Sequence, residues 1–280
     1  MQKWQCKYAP SLGALEDTPE NVWGTIPYTN DTDPTVFFGL YGLPDFISLW
    51  RHKGRKAILW AGSDIKHFRG GYWLDTEGHI RIDPKALAHW IDSNCENYVE
   101  NEEERYQLSC EGIRAIVIPS FLGKVEEYDV EFVQGNKVYC SANEGRQIEY
   151  GFGVVEDIAG LLPEIEFHLY GATWTTKHSN VIVHGRVPKE QMNDEIKKMQ
   201  CGLRTLEHDG FSEVTAKSVL WGQYPITNIH TPMVDSYEKD TQRLLWLLKK
   251  IPKRTQHNDG AREYYLQTLN AYPWNVKKHK

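Results

Sequence analysis

Residues able to do chemistry are concentrated between positions 204 and 217. Arg204 sits in an apolar run, Glu207, His208 and Asp209 follow, then Gly210, Phe211 and Ser212, and then Glu213 and Lys217 one helical turn apart. Residues 203–206 read as a strand, and a helix opens at about 212, so the intervening loop feeds a helix N-terminus. Free N–H groups and the positive end of the helix dipole make such a loop suited to a phosphate or to sugar hydroxyls. His208 is a candidate hydrogen-bond donor or a plain loop histidine, and Asp209 also reads as an ordinary N-cap.

Three other places hold groups of interest. Gly42 follows the first clear strand and Gly62-Ser63-Asp64 ends the next, which makes Gly42, Ser63 and Asp64 candidates for an acceptor-side surface, or simply tight turns. Asp31-Thr32-Asp33 has the spelling that holds a divalent cation in some enzymes. It lies in a proline-rich loop ahead of any clear strand, so it reads as a turn, and no metal is expected. Trp23, Trp60 and Trp73 are candidates for stacking on a sugar ring, against the commoner role of packing.

These groups need a scaffold. After about 35 loop-like residues with one short strand, residues 35–41 read as a buried strand, 44–52 as a helix opened by proline, and 56–61 as a second strand. Asp83-Pro84 has the form of an N-cap and first-turn proline for a helix to about 93, followed by a helix over 102–110 and a strand over 113–118. The proline and glycine at 119–123 break the pattern and place a boundary near 125. Beyond it, strands over 137–142, 165–170, 181–184, 203–206 and 224–227 alternate with helices over 154–162, 188–200 and 213–221. Apolar residues at helical spacing run from 234 to 248, and a last helix spans 261–270. Strands alternating with helices specify parallel sheets covered on both faces, here two α/β domains over 1–125 and 126–255 with a cleft between them.

The residues now carry a resemblance. Asp209-Gly210-Phe211-Ser212, then Lys217 to Gly222 and Pro225-Ile226, resembles the donor-site motif of retaining GT-B glycosyltransferases of the glycogen-synthase and mannosyltransferase type, which reads Glu-Gly-Phe-Gly, then Glu-Ala-Met-Ala-x-Gly and a strand opening Pro-Val-Ile. Residues 162–171 and 180–185 are similar to the family's preceding strands, and 256–280 to its terminal helix and tail, which return to the first domain. The resemblance implies two Rossmann-like domains facing a cleft, with a nucleotide-diphosphate sugar as co-substrate, UDP-sugar first among them, and no tightly bound cofactor. It implies a hydroxyl acceptor and retention at the sugar. Asp209 takes the place of the glutamate that bonds the donor sugar, while Gly210, Phe211 and Ser212 offer backbone N–H groups. The ribose-binding glutamate falls on Lys217, which has donors only, so Glu213 takes that task or nucleotide binding is altered. Arg146 is the cation expected at the leaving diphosphate, with Arg204 and Lys217 in reserve, because the family's lysine is replaced at Tyr150-Gly151. A looser likeness of the first domain to virus-type enzymes points to a hydroxymethylated DNA base as acceptor, beside a glycan or small molecule. A non-catalytic nucleotide- or sugar-binding module on the same fold is the rival reading, and another nucleotide-sugar enzyme a third.

Composition bounds these readings. The chain has 280 residues, 40% apolar and 25% charged, which suits two folded domains. A net charge of −6 argues against a surface coated for nucleic acid, although 249–254 is a local basic run. The five cysteines are scattered without zinc spacing and read as reduced thiols. The first residues lack a signal peptide's apolar run and no stretch is long enough to cross a membrane, so a cytoplasmic location is expected.

Overall fold

The computed structural model describes residues 2–15, 18–71, 83–130 and 133–275. The chain divides into two compact units, Met1–Gly123 with Thr268–Lys280, and Lys124–Gln267.

The first unit runs β1 (Gln5–Tyr8), α1 (Thr18–Asn21), β2 (Ile26–Pro27), β3 (Thr35–Phe38), α2 (Leu43–Arg51), β4 (Lys56–Leu59), α3 (Ser63–Arg69), α4 (Pro84–Asn94), β5 (Glu96–Val99), α5 (Glu102–Cys110) and β6 (Ile116–Val117). Its six strands form one parallel sheet in the order β2-β1-β3-β4-β5-β6. The period-2 alternation of strand side chains decides what covers each face. Phe37, Ile58 and Val99 face one side, where Phe46, Leu49, Ile65, Phe68, Leu87, Ile91 and Leu108 bring in α2 to α5. Val36, Phe38, Ala57, Leu59 and Tyr98 face the other, against Trp4, Trp23, Tyr272 and Trp274. Trp23 and Trp60 are wholly buried in these cores and cannot stack on a ligand, because packing has taken both faces of their rings; Trp73 lies outside the described residues.

The second unit runs β7 (Lys137–Ser141), α6 (Phe152–Ala159), β8 (Glu166–Tyr170), β9 (Val181–Gly185), α7 (Lys189–Ile196), β10 (Cys201–Arg204), α8 (Glu213–Leu220), β11 (Ile226–Thr227), β12 (Asp235–Ser236), α9 (Thr241–Leu248) and α10 (Asp259–Thr268). This sheet too is parallel, ordered β12-β11-β10-β7-β8-β9. Val138, Cys140, Phe167 and Leu169 pack with Phe152, Val155 and Ile158 of α6 and Leu244, Leu247 and Leu248 of α9. On the opposite face Tyr139 donates its hydroxyl to the Val214 carbonyl of α8 at 3.2 Å. The strand order reverses between β7 and β10: from β7 the chain steps outward to β8 and β9, and from β10 outward to β11 and β12. In open parallel sheets, loops leaving the carboxyl ends of two such strands diverge and leave a crevice that collects ligands.

Several expected elements shift. Residues 234 and 237 match helical spacing, yet α9 starts at 241, because the Asp240 side chain accepts from the N–H groups of Gln242 and Arg243 and caps it there. No helix among the described residues is long and apolar enough to cross a membrane. All five cysteines are free thiols.

Candidate functional site

The two loops at the switch point are positioned by glycines and a cap. Gly202 lets α8 lie close on β10, since a Cβ there would stand 2.9 Å from both the Tyr139 hydroxyl and the Val214 side chain. The buried Ser212 hydroxyl accepts from the Thr215 N–H at 3.1 Å and so starts α8 where the sequence pattern puts it. Phe211 stacks on Tyr265 of α10 with ring centres 4.8 Å apart, which pins the loop between β10 and α8. On the β7 side, Gly151 has a left-handed backbone (φ +99°) and rests against the Thr205 hydroxyl, so the loop closes onto the end of β10. Gly151→Ala adds both backbone strain and a clash with Thr205. It should lower unfolding stability by about 2–4 kcal/mol, read from urea denaturation, with helix content kept in the surviving native state.

Between these loops stands a compact charged group. Arg204 donates from Nε to Asp209 Oδ2 at 2.6 Å, with the two side chains only 13% and 20% exposed. The Arg204 guanidinium lies 4.3 Å from the centre of the Tyr150 ring, and the Arg146 guanidinium lies 4.8 Å from the same centre. Arg146 in turn donates from Nε to Glu149 Oε2 at 2.7 Å and from Nη2 to Glu149 Oε1. The Glu149 hydrogen bond and the Glu149 and Asp209 charges hold the Arg146 guanidinium above its ordinary value, so it is charged at every accessible pH. The structure thus assembles Arg146, Arg204 and Asp209 around Tyr150. Tyr150 is itself fixed through its backbone, whose carbonyl accepts from the Cys140 thiol at 3.1 Å and whose N–H donates to the Arg146 carbonyl. Burial pushes that thiol up to about 12 despite the nearby Arg204 charge, which removes Cys140 as a nucleophile.

A small cleft opens beside this group, lined by Arg204, Leu206, Asp209, Gly210, Phe211, Ser212, Thr215, Thr227, Asn228, Ile229 and Thr231. It is a shallow cleft partly open to solvent, and its polar side chains and backbone groups are of the kind that meet hydroxyls. Asn228 is held there by its N–H to the Arg204 carbonyl at 3.0 Å and by its side-chain oxygen, which accepts from the Lys239 N–H at 2.7 Å. Thr227, Asn228 and Thr231 are polar lining that sequence reasoning missed; their only signal is their place at or just after the end of the short strand β11.

The remaining sequence candidates go elsewhere. His208 is exposed on the same loop, outside the pocket lining. Glu213 occupies the first turn of α8 and is half-buried. Lys217 donates to Asn193 Oδ1 of α7 at 3.1 Å and is not part of the pocket; burial holds its ammonium below the ordinary value. In the first unit, Gly42 is the N-cap of α2, where Asp45 accepts from the N–H groups of Tyr41 and Gly42. The Ser63 hydroxyl meets the Tyr41 hydroxyl at 2.9 Å. Asp64 has no exposed surface: its two carboxylate oxygens accept from the N–H groups of Leu40 and Ala61, tying the loops after β3 and β4 together. A tether of this kind supports a neighbouring surface without touching what binds there. Asp31 and Asp33 lie in a turn organised by the Asn30 side chain, which accepts from the Thr32 and Asp33 N–H groups. No group of three metal-ligating side chains occurs among the described residues.

No protein-family model matches the sequence, and no curated protein matches it. Solved structures do match. A mutant of TarM from S. aureus, solved with fondaparinux, α-GlcNAc-glycerol and UDP, superposes with a TM-score of 0.58 at 12% identity over 85% of this chain and 53% of that one. A UDP-forming α,α-trehalose-phosphate synthase from Burkholderia vietnamiensis gives 0.54 at 9% identity over 86% and 71%, and its counterpart from Burkholderia xenovorans 0.52 at 9% over 86% and 74%. The chain spans about half the length of TarM. At such identities the likeness concerns architecture, and with two six-stranded parallel sheets, each wound with helices, the chain has the two-Rossmann-like-domain GT-B fold.

Proposed function

We propose that this chain is a glycosyltransferase that takes a sugar from a nucleotide-diphosphate donor bound by the second unit, with UDP as the nucleotide. The observation that carries the reading is the Arg204–Asp209 pair lining a small cleft at the switch point and beside a helix N-terminus. The TarM structure was solved with UDP, and the trehalose-phosphate synthases are described as UDP-forming, which supports the choice of nucleotide.

In this reading Asp209 accepts hydroxyl protons of the donor sugar. The leaving diphosphate builds negative charge that Arg146 and Arg204 stabilise, an electrostatic contribution of several kcal/mol in comparable sites. The sugar passes through an oxocarbenium-like state with retention. The first unit, carrying Gly42 and Ser63 on loops held by Asp64, binds a hydroxyl acceptor, whether a glycan, a small molecule or a hydroxymethylated DNA base. Lys217 directed at Asn193 instead of a ribose favours a second reading, a sugar- or nucleotide-binding module without turnover.

The test is a panel of UDP-sugars read by thermal shift, followed by UDP release with and without acceptors. A matching donor at about 100 times its Kd should stabilise the protein by about 2.7 kcal/mol, a rise of several degrees. Stabilisation with UDP release identifies an enzyme, and stabilisation without release identifies the module. No shift with any UDP-sugar sinks both.

A further inference from the structure

Two arginines, Arg146 from the loop after β7 and Arg204 from the end of β10, converge on the ring of Tyr150. Like charges this close repel, and the repulsion has to be offset within the protein. Three groups do so. The π-face of Tyr150 attracts each guanidinium, Glu149 neutralises Arg146, and Asp209 neutralises Arg204. The two carboxylates differ from the ring in one respect: an incoming anion competes with them for the same N–H donors, whereas it leaves the ring contacts in place.

We propose that Tyr150 is a positioning residue that holds Arg146 and Arg204 as a paired receptor for a diphosphate, and that the donor enters by exchanging its phosphoryl oxygens for the Glu149 and Asp209 carboxylates. The inference rests on the donor reading above and deepens it. A diphosphate carries two anionic groups joined through one oxygen, which matches two guanidinium groups held on one ring; a monophosphate engages one arginine and gains less from the pairing. The exchange also couples the two ends of the donor. Once the diphosphate takes Arg204, Asp209 is released to accept the hydroxyls of a sugar in the adjoining pocket, so sugar recognition follows diphosphate recognition. The exposure of the two pairs fits an ordered exchange. Arg146 and Glu149 are each about half exposed and separate first, while Arg204 and Asp209 are largely buried and separate second.

The experiment is calorimetric titration of the full chain with inorganic pyrophosphate and with inorganic phosphate, for the wild type and for Tyr150→Phe, Tyr150→Leu and Glu149→Gln. Pyrophosphate should bind at least tenfold more tightly than phosphate. Tyr150→Leu should weaken pyrophosphate about tenfold and erase most of that preference, and Tyr150→Phe, which keeps the ring and drops the hydroxyl, should restore binding to within about twofold. Glu149→Gln removes a competitor at an exposed position that tolerates substitution, and should tighten pyrophosphate about threefold. Equal pyrophosphate affinity in the wild type and Tyr150→Leu overturns the positioning role. Should Tyr150→Leu fail to fold, weakening by Tyr150→Phe as severe as tenfold overturns it instead. No gain in Glu149→Gln overturns the exchange. A wild type that binds pyrophosphate no better than phosphate overturns the paired receptor and leaves the glycosyltransferase reading standing, whereas the absence of any UDP-sugar binding removes that reading itself.

Discussion

Asp209→Ala is expected to lower kcat/KM for sugar transfer by at least about 10²–10³-fold while the protein stays folded. The size of the effect follows from the two functions the carboxylate serves at one place. In the proposed reaction it accepts the hydroxyls of the donor sugar, and it neutralises Arg204 until a donor arrives. Both are lost together in alanine. The cost in stability stays near 1–2 kcal/mol, below that of breaking a fully buried ion pair, because the pocket opens to water and Arg204 keeps its contact with Tyr150. Asp209→Asn separates the two functions, since an amide still meets hydroxyls but carries no charge. Initial rates of UDP release alongside circular dichroism decide the matter, and an unchanged kcat/KM in the alanine variant would remove Asp209 from the site.

Asp64→Ala is expected to cost about 2–5 kcal/mol of stability, the largest loss from any single side chain discussed above. The side chain is completely buried, and its removal orphans the N–H groups of Leu40 and Ala61, each worth about 1–3 kcal/mol when left without a partner. Burial pushes this carboxyl up to about 7 against the pull of its backbone donors. A carboxyl raised in the folded state holds a proton there that the unfolded chain releases. Its contribution is therefore fully present below about pH 4 and is lost as pH rises through about 7. Relative to Asp64→Asn, which does not titrate, the wild type should lose stability steadily across that window. Urea midpoints for the two proteins at several pH values give the comparison, and a constant difference would show that the carboxyl does not change charge there.

The alternation of apolar runs was enough to read most of both sheets, because parallel strands buried on two faces leave continuous apolar stretches in the chain. Glu96–Val99 escaped because it begins with Glu96 and Asn97. The Asn97 amide donates to the Cys95 carbonyl and accepts from the Trp60 indole just past the end of β4, and the second partner is one that no local pattern reveals. The strand expected over 203–206 lies at Cys201–Arg204 instead: Gly202 looks like a breaker in sequence, and its missing side chain is what admits α8. Asp209, Arg204 and Arg146 were legible as candidates from their loops. Tyr150 stands out in sequence only as a residue where a lysine is expected, since the two guanidinium groups over its ring come from the loop after β7 and from the end of β10.

The first unit is assembled from two separate stretches of chain, and this has a consequence for the order in which the protein is made. Tyr272 and Trp274 are buried against Trp4, Trp23 and Tyr98, and the Asn270 amide is hydrogen-bonded to Phe121 at a separation of 149 residues. On the ribosome, residues 2–123 therefore emerge with part of one face of their sheet still uncovered, and they stay so until the whole of the second unit has been translated. The second unit can complete its core first. The first must wait, with Trp23 and Tyr98 exposed, for an aromatic plug that arrives late, and a chain halted near residue 267 would present that unfinished face to chaperones and proteases.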